Sequence, residues 1–404
     1  MHHKLTNFIF KKIVPIFVGV LAIIGANKFI NKFCHNEMEQ KNVACNIKIS
    51  DSNSDCVTHL AGIWISYLDL QEYCNFKTEK DFKNSFENIV NECKKRKLNT
   101  LIVQVRPFAD ALYESKLFPW SHIVSGEQGV SPNFDPLKIM IACAHGNNMK
   151  FHAWVNPLRI SNVNNPKKLH SSNPCFCENF KNKILNCAGV LMFNPGYQEI
   201  QSLVADGVKE IVENYEVDAV QFDDYFYPEL KNGDDKVDRA YKEYLSKHDN
   251  AGDYETWRKQ NINDLIKKTY NIIKSVNSNV QFGISPSGNI NKCIEMGADV
   301  NTWVNCSGYI DYICPQIYWS LDFKEMPFEK TAASWRKLAE KSSVKLYTGL
   351  ALYKVGSERY DNGTWCNRGD IISTEIGISK KLNYDGFMLF SYKFLCNNSV
   401  HSGL

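Results

Sequence analysis

This chain has no basic run and almost no charge imbalance: 47 Lys and Arg face 44 Asp and Glu over 404 residues, a formal net charge of +3. A nucleic-acid-binding face and a polyanionic partner are therefore not indicated. No GxGxxG turn follows the first strand-like run, which argues against a dinucleotide-binding open sheet. A zinc signature is missing too. Cys175 and Cys177, with Cys187 nearby, form the one cysteine cluster, but two thiols a residue apart without a companion His or Cys pair do not make a metal site. No cofactor is implied by any motif. The fourteen cysteines, scattered from Cys34 to Cys396, form no readable disulfide framework. Several, including Cys314 in DYICPQIYW, fall in core-like strands and read as buried small hydrophobes.

A full-length membrane span, which takes about 20 apolar residues, is also absent as an uninterrupted run. What is there is Ile13 to Ala26, IVPIFVGVLAIIGA, preceded by Lys4, Lys11 and Lys12. That length suits a signal-peptide core, so residues 1–30 are expected to be a signal peptide or signal anchor. Ile24 and Ala26 make a weak cleavage site, and Phe29, Ile30 and Phe33 extend the span, so an uncleaved anchor is favoured. Lysines on the amino-terminal side hold that end in the cytoplasm, which places the remainder outside, at the cell surface, as a membrane-anchored or secreted protein. Residues 31–55 read as a polar tether, 56–396 as the folded domain and 397–404 as a tail. Export and unpaired thiols are compatible in an anaerobic setting.

The composition, 44% hydrophobic and 12% aromatic, can fill one large core or two ordinary ones. From Gly62 onward short apolar strands alternate with amphipathic stretches. Eight strands are expected: 62–68, 100–106, 151–156, 217–223, 281–286, 309–319, 345–353 and 386–392. Helical stretches between them include Asp81 to Lys97, Tyr197 to Asn214, Trp257 to Val276 and Phe328 to Lys341. Alternation of this kind predicts parallel strands with right-handed crossovers, and eight repeats predict an α/β fold of the (β/α)₈ TIM-barrel type. Insertions near Asn162 to Phe193 and Pro228 to Tyr254 belong to the carboxyl-end loops, which would wall a cleft.

The stretch VDAVQFDDYFYP ends a buried strand in Asp223 and Asp224, followed by Tyr225, Phe226 and Tyr227. In α/β proteins the carboxyl ends of strands are where active sites form. The rim inventory also holds Asp69, Arg106, Asp110, Asn156, Arg159, Ser285, Ser287, Gln316, Tyr318, Trp319, Asp322, Tyr353, Lys354, Ser391 and Lys393. Acids, amides and rings of this kind suit a sugar, whose apolar faces stack on aromatics and whose hydroxyls take hydrogen bonds. Glycoside hydrolysis needs two carboxyl groups. Neighbours on a strand point to opposite faces, so one of Asp223 and Asp224 is expected in the cleft, with a second acid from elsewhere. Asp322 leads that search, ahead of Asp110 and Glu358. The bland alternatives are caps, turns and solvated loop acids. Arg106 reads either as a substrate clamp or as an ion partner of the aspartates. Lys354 reads as a partner for an aspartate or as a solvated base, and His152 as a packed residue of the third strand.

Five stretches carry a resemblance. GIWIS, QVRPFADALYESKLFPWSHIVSGEQG with DPLKIMIACAHGNNMKFHAWVNPLR, FNPGYQEIQ through VDAVQFDDYFYP, FGISPSG, and DYICPQIYW with LYTGLALYKVG resemble glycosyl-hydrolase-like family ten, from about residue 58 to 394. The resemblance implies a barrel glycosidase of bacterial cell surfaces acting on peptidoglycan strands stripped of their peptide stems. It points to Asp223 and Asp224, with Arg106, Asp110, Asn156, Gln316, Tyr318, Trp319 and Lys354 lining the cleft; Tyr225 joins them as a ring beside the acids. Two departures fall at outer subsites: Ala61 stands where relatives have Arg, and SPSGNI lacks a following Trp and Arg. A fainter similarity, to the DxxDxDxE strand of chitinases, puts Asp218, Gln221, Asp223 and Tyr225 at the four positions, with Tyr in place of the essential acid.

Two functions compete. The first is a surface glycosidase using Asp223, Asp224 and Asp322. The second is a non-catalytic barrel that tethers to or recognises cell-wall glycan, a reading fed by the absence of Glu at the ends of strands four and seven.

Overall fold

The computed structural model describes residues 59–395 except 164, 188, 230, 232, 250 and 251. The apolar amino-terminal segment, the polar tether and the carboxyl-terminal tail lie outside the described residues. Among the described residues no helix is long and apolar enough to cross a membrane.

Eight parallel strands close a barrel: β1 Leu60–Ile65, β2 Thr100–Arg106, β3 Lys150–Val155, β4 Ala219–Phe222, β5 Gln281–Ile284, β6 Tyr312–Ile313, β7 Lys345–Leu350 and β8 Gly386–Phe390, with β8 pairing back onto β1. The strands read as continuous apolar runs because both faces are buried. Leu60, Trp64, Ile102, Trp154, Ala219, Tyr312, Cys314, Tyr347 and Met388 fill the inside. Ile63, Leu101, Val103, Phe151, Val220, Phe282 and Leu389 face the helices and join the larger core. Gly283 makes room for Tyr312, whose ring carbons would lie 2.1 Å from any Cβ there. The Tyr312 hydroxyl donates to Gln221 Oε1 at 3.1 Å and lies 3.1 Å from His152 Nδ1, so His152 is a packed barrel residue. Burial pushes its imidazole down to about 4, which keeps it neutral.

The helices follow from the 3.6-residue period. In Glu79–Lys95, Phe82, Phe86, Ile89, Val90 and Cys93 form one buried stripe, and Thr78 caps the first turn by accepting from the Asp81 N–H. All the strands but β2 end earlier than the apolar pattern suggests, and for β1 and β6 the cause is visible. β1 stops at Ile65 because Ser66 and Asp69 form a reciprocal capping box that starts helix Tyr67–Tyr73. Asp69 also accepts from Ser391 Oγ at 3.2 Å and from the Lys393 N–H at 2.8 Å, clasping the loop after β1 to the end of β8. β6 is two residues long: Pro315 has no N–H for the ladder, and beyond it the chain turns, the Ile317 N–H donating to Pro315 O and the Tyr318 N–H to Gln316 O.

Both expected insertions are present at the carboxyl-end face. After β3 comes an antiparallel sheet of Arg159–Ser161, Val190–Phe193 and Ile184–Cys187 in that spatial order. After β4 come two short helices, Asp234–Val237 and Arg239–Leu245, before the long helix Tyr254–Val276.

Candidate active site

Ala219 and Gln221 face the barrel interior, and Asp223 continues their parity one residue past the end of β4. It is 4% exposed. Trp154 Nε1 and Asn156 Nδ2 both donate to its Oδ2, at 3.0 and 2.9 Å, while its Oδ1 faces the Tyr225 N–H at 3.3 Å. Those donors come from β3 and the residue after it, the inward positions next to β4. Asn156 is oriented in turn by its own Oδ1, which accepts the Arg159 N–H at 3.2 Å.

The strand ends at Phe222, so strict alternation does not carry on to Asp224. Half-buried, its carboxyl lies beside Gln316, whose side chain hydrogen-bonds it, and within the fields of Lys292 and Arg159. Both acids are thus drawn into one site, where alternation alone would have sent one of them away. Burial first, then the neighbouring Asp224 charge, pushes Asp223 up to about 7, against the pull of Arg159 and the Trp154 bond. Burial also raises Asp224, opposed by a backbone hydrogen bond, Gln316, Lys292 and Arg159. A carboxyl that keeps its proton to neutral pH is what a general acid requires.

An aromatic floor adjoins the pair. Phe390 of β8 meets Trp64 at 6.1 Å and Trp154 at 6.4 Å edge-on, and Tyr318 stacks over it at 5.9 Å. Tyr353 meets Tyr318 edge-on at 6.0 Å. Tyr225 lies under the Arg159 guanidinium, 4.9 Å from ring centre to Cζ. Half-buried Trp319 is turned toward the outer layer, its Nε1 donating to Thr331 Oγ1 at 3.1 Å and its ring fitted over Gly288.

Other expected site residues fall elsewhere. Arg106 does not line the cleft. A β-bulge between Gln104 and Arg106 puts Gln104 opposite inward Trp154 but Arg106 opposite outward Val155. Its guanidinium stands 4.6 Å over Phe118, packed against Gly207 of helix Gln198–Asn214, with Tyr113 and Glu210 as its electrostatic neighbours. Asp110 is sealed inside a loop clasp: Gln128 Nε2 donates to it at 2.9 Å, His122 Nδ1 lies 3.5 Å away, and Gln128 Oε1 accepts the His170 N–H from the insertion after β3. Asp322 is exposed and accepts from Asn367 Nδ2 at 3.1 Å, in no contact with the aspartate pair, and Glu358 is exposed as well. Lys354 is occupied: it donates to the Tyr318 carbonyl, pairs with Asp361 at 3.3 Å and lies near the rings of Tyr360 and Trp365. It anchors the segment that carries Tyr318. Asp218 stays at the opposite end of β4, bound to the Phe151 N–H and to His145, so the chitinase-like spacing does not bring a second acid to the mouth.

Trp154, outside the expected set, and Arg159 complete the arrangement. Trp154 was legible by parity, since His152, Trp154 and Asn156 alternate inward on β3. Arg159, part of the rim inventory, proves to be a cation whose field reaches both aspartates. A groove of about 1260 Å³ on the flank, between helices Gln198–Asn214 and Tyr254–Val276, has Lys183 near the Tyr197 ring and His248 stacked on Tyr244, and it holds neither aspartate. Among the described residues no group of three metal-ligating side chains converges.

A family model described as "Glycosyl hydrolase-like 10" matches residues 59–367. "Glycosyl hydrolase YngK" of Bacillus subtilis (strain 168) is 32% identical over 369 residues, covering 86% of this chain and 71% of that protein. "Glycosyl hydrolase DigH" of Escherichia coli O6:H1 is 31% identical over 323 residues, covering 74% of this chain and 73% of its own. Among solved structures, an endo-1,4-beta-mannanase from Rhizomucor miehei superposes with a TM-score of 0.52 at 9% identity, over 82% of this chain and 86% of that one. Alpha-L-fucosidase isoenzyme 2 from Paenibacillus thiaminolyticus gives 0.51 at 12% identity over 84% of this chain, which spans 48% of the fucosidase. At those identities the likeness is one of fold.

Proposed function

The chain belongs to the glycosyl hydrolase-like 10 family, and from that premise we propose that it is a glycoside hydrolase whose acid–base couple is Asp223 and Asp224. One observation carries the reading: two adjacent carboxyls at the end of β4, both within the field of Arg159, with Asp223 buried and pushed up to about 7 and half-buried Asp224 raised as well. Asp223 then acts as the proton donor to the leaving oxygen, through Oδ1, because Oδ2 is engaged by Trp154 and Asn156. Asp224 acts as the carboxylate that stabilises or attacks the sugar carbon, or activates water there. Tyr318, Phe390 and Tyr225 offer rings to the pyranose faces, and Gln316 an amide to its hydroxyls.

The substrate we propose is bacterial cell-wall glycan, in particular peptidoglycan strands without peptide stems, reached by export through the apolar segment Ile13 to Ala26. The family membership and that segment support this reading. Membrane attachment and an extracytoplasmic location belong to the same proposal. The test is mass spectrometry of products after incubating the chain with peptide-free glycan strands, intact peptidoglycan and chitin oligomers. Release of short sugars from the peptide-free strands is the expected result. Retention on insoluble glycan with no product from any polymer would instead support a tethering barrel, a reading that the exposed position of Asp322, away from the pair, keeps on the table.

A further inference from the structure

Arg159 opens the Arg159–Ser161 strand, and its guanidinium is fixed from two loops. Nε and Nη2 both donate to the Pro107 carbonyl, at 3.0 and 2.9 Å, after β2. Its Cζ stands 4.8 Å over Phe108 of that same loop and 4.9 Å over Tyr225 of the loop after β4. Its backbone N–H holds Asn156, which turns its amide to Asp223. The side chain is 7% exposed, and all its hydrogen bonds go to a neutral carbonyl. It forms no ion pair among the described residues. The other cation near the pair, Lys292, is already paired with Glu229 at 2.8 Å.

Two carboxyls buried side by side with no positive charge at hand would both stay protonated, and a pair with no carboxylate has no base or nucleophile. Arg is the side chain that cannot solve this by losing its own proton. We infer that Arg159 is the positioning residue of this site: an unpaired, fixed cation that lets Asp223 and Asp224 hold opposite protonation states, one carboxylic acid and one carboxylate. The inference rests on the acid–base reading of the pair and says what makes that reading possible. The other groups facing the pair are Lys292, Tyr225, Tyr318 and Cys293. Burial holds the last three above their ordinary values, so they stay neutral through the range concerned.

The test uses the full chain with Arg159→Gln and Arg159→Lys and reads two things: the pH profile of glycan turnover, and the titration of ¹³C-labelled Asp carboxyls by NMR without substrate. Removing the cation disfavours the carboxylate, so Arg159→Gln should move the titration of the pair, and the alkaline limb of turnover, upward by about one pH unit. Arg159→Lys keeps the charge but loses the planar fork on Pro107. It should leave the limb near its wild-type position while lowering kcat on the order of tenfold. A merely structural Arg159 would lower the folded fraction in both variants and leave both curves in place, and superimposable carboxyl titrations for wild type and Arg159→Gln would overturn the inference. A shifted titration in a protein that cleaves no glycan would uphold the role of Arg159 and sink the hydrolase reading.

Discussion

Asp223→Asn removes a titration that the fold works against, and the size of the effect follows from the site. Burial and the Asp224 charge push Asp223 up to about 7 from its ordinary 3.8. The folded chain therefore keeps a proton that the unfolded chain gives up. Whatever stability this protonation contributes is fully present below pH 3.8 and lost as pH rises through 7. A difference of about 3 units corresponds to about 4 kcal/mol of stability lost across that window. Asn is neutral throughout. Its carbonyl oxygen can keep the bonds from Trp154 and Asn156, but its amide would oppose the Tyr225 N–H, which returns about 1 kcal/mol of the gain. For a domain of this size about 3 kcal/mol shifts the melting temperature by roughly 5 °C. The assay is thermal unfolding of wild type and Asp223→Asn from pH 4 to pH 8.5. The variant should melt about 5 °C higher at pH 8.5 and lose that advantage toward pH 4. An offset that does not change with pH, or a variant less stable than wild type at pH 8.5, would refute the reasoning about Asp223.

Trp154→Phe keeps the ring of the aromatic floor but deletes the 3.0 Å donor to Asp223, so kcat on a fixed glycan should fall on the order of tenfold, with the Asn156 bond still in place. Asp322→Asn should leave turnover within about twofold of wild type, since a surface substitution away from the pair touches none of its groups; a loss of several orders of magnitude would return Asp322 to the chemistry. Lys354→Met leaves Asp361 facing Glu375, which is fully buried, without their shared cation, and denaturant unfolding should show a loss of about 3 kcal/mol.

The barrel was legible because each strand is apolar on both faces, which only a sheet covered inside and out produces, and because the intervening segments carry a helical period. Asp223 and Asp224 were legible for a related reason: an apolar strand that runs into two acids has reached the carboxyl-end rim. Individual side chains were less so where direction depends on a partner strand. Arg106 would face the cleft by counting from Ile102, but the bulge against β3 turns it outward, and nothing local to TLIVQVR announces a bulge. Asp322 lay beyond the reach of strand parity, because the turns after Pro315 redirect the chain before it. Asp110 and Lys354 were found on the rim segments, yet their partners, Gln128 and Asp361, come from loops whose course only the folded chain fixes. The reverse holds for Trp154, which parity alone places beside Asp223.

The central claim is that Asp223 and Asp224 together cleave a glycosidic bond. Its most direct test is to compare the wild-type chain with Asp223→Asn and Asp224→Asn on peptide-free glycan strands, measuring both product release by mass spectrometry and retention on the insoluble polymer. The account predicts that each substitution lowers turnover by three or more orders of magnitude, as loss of a group acting in the chemical step does, while binding stays near wild type. Wild-type rates of product release in both variants would contradict it.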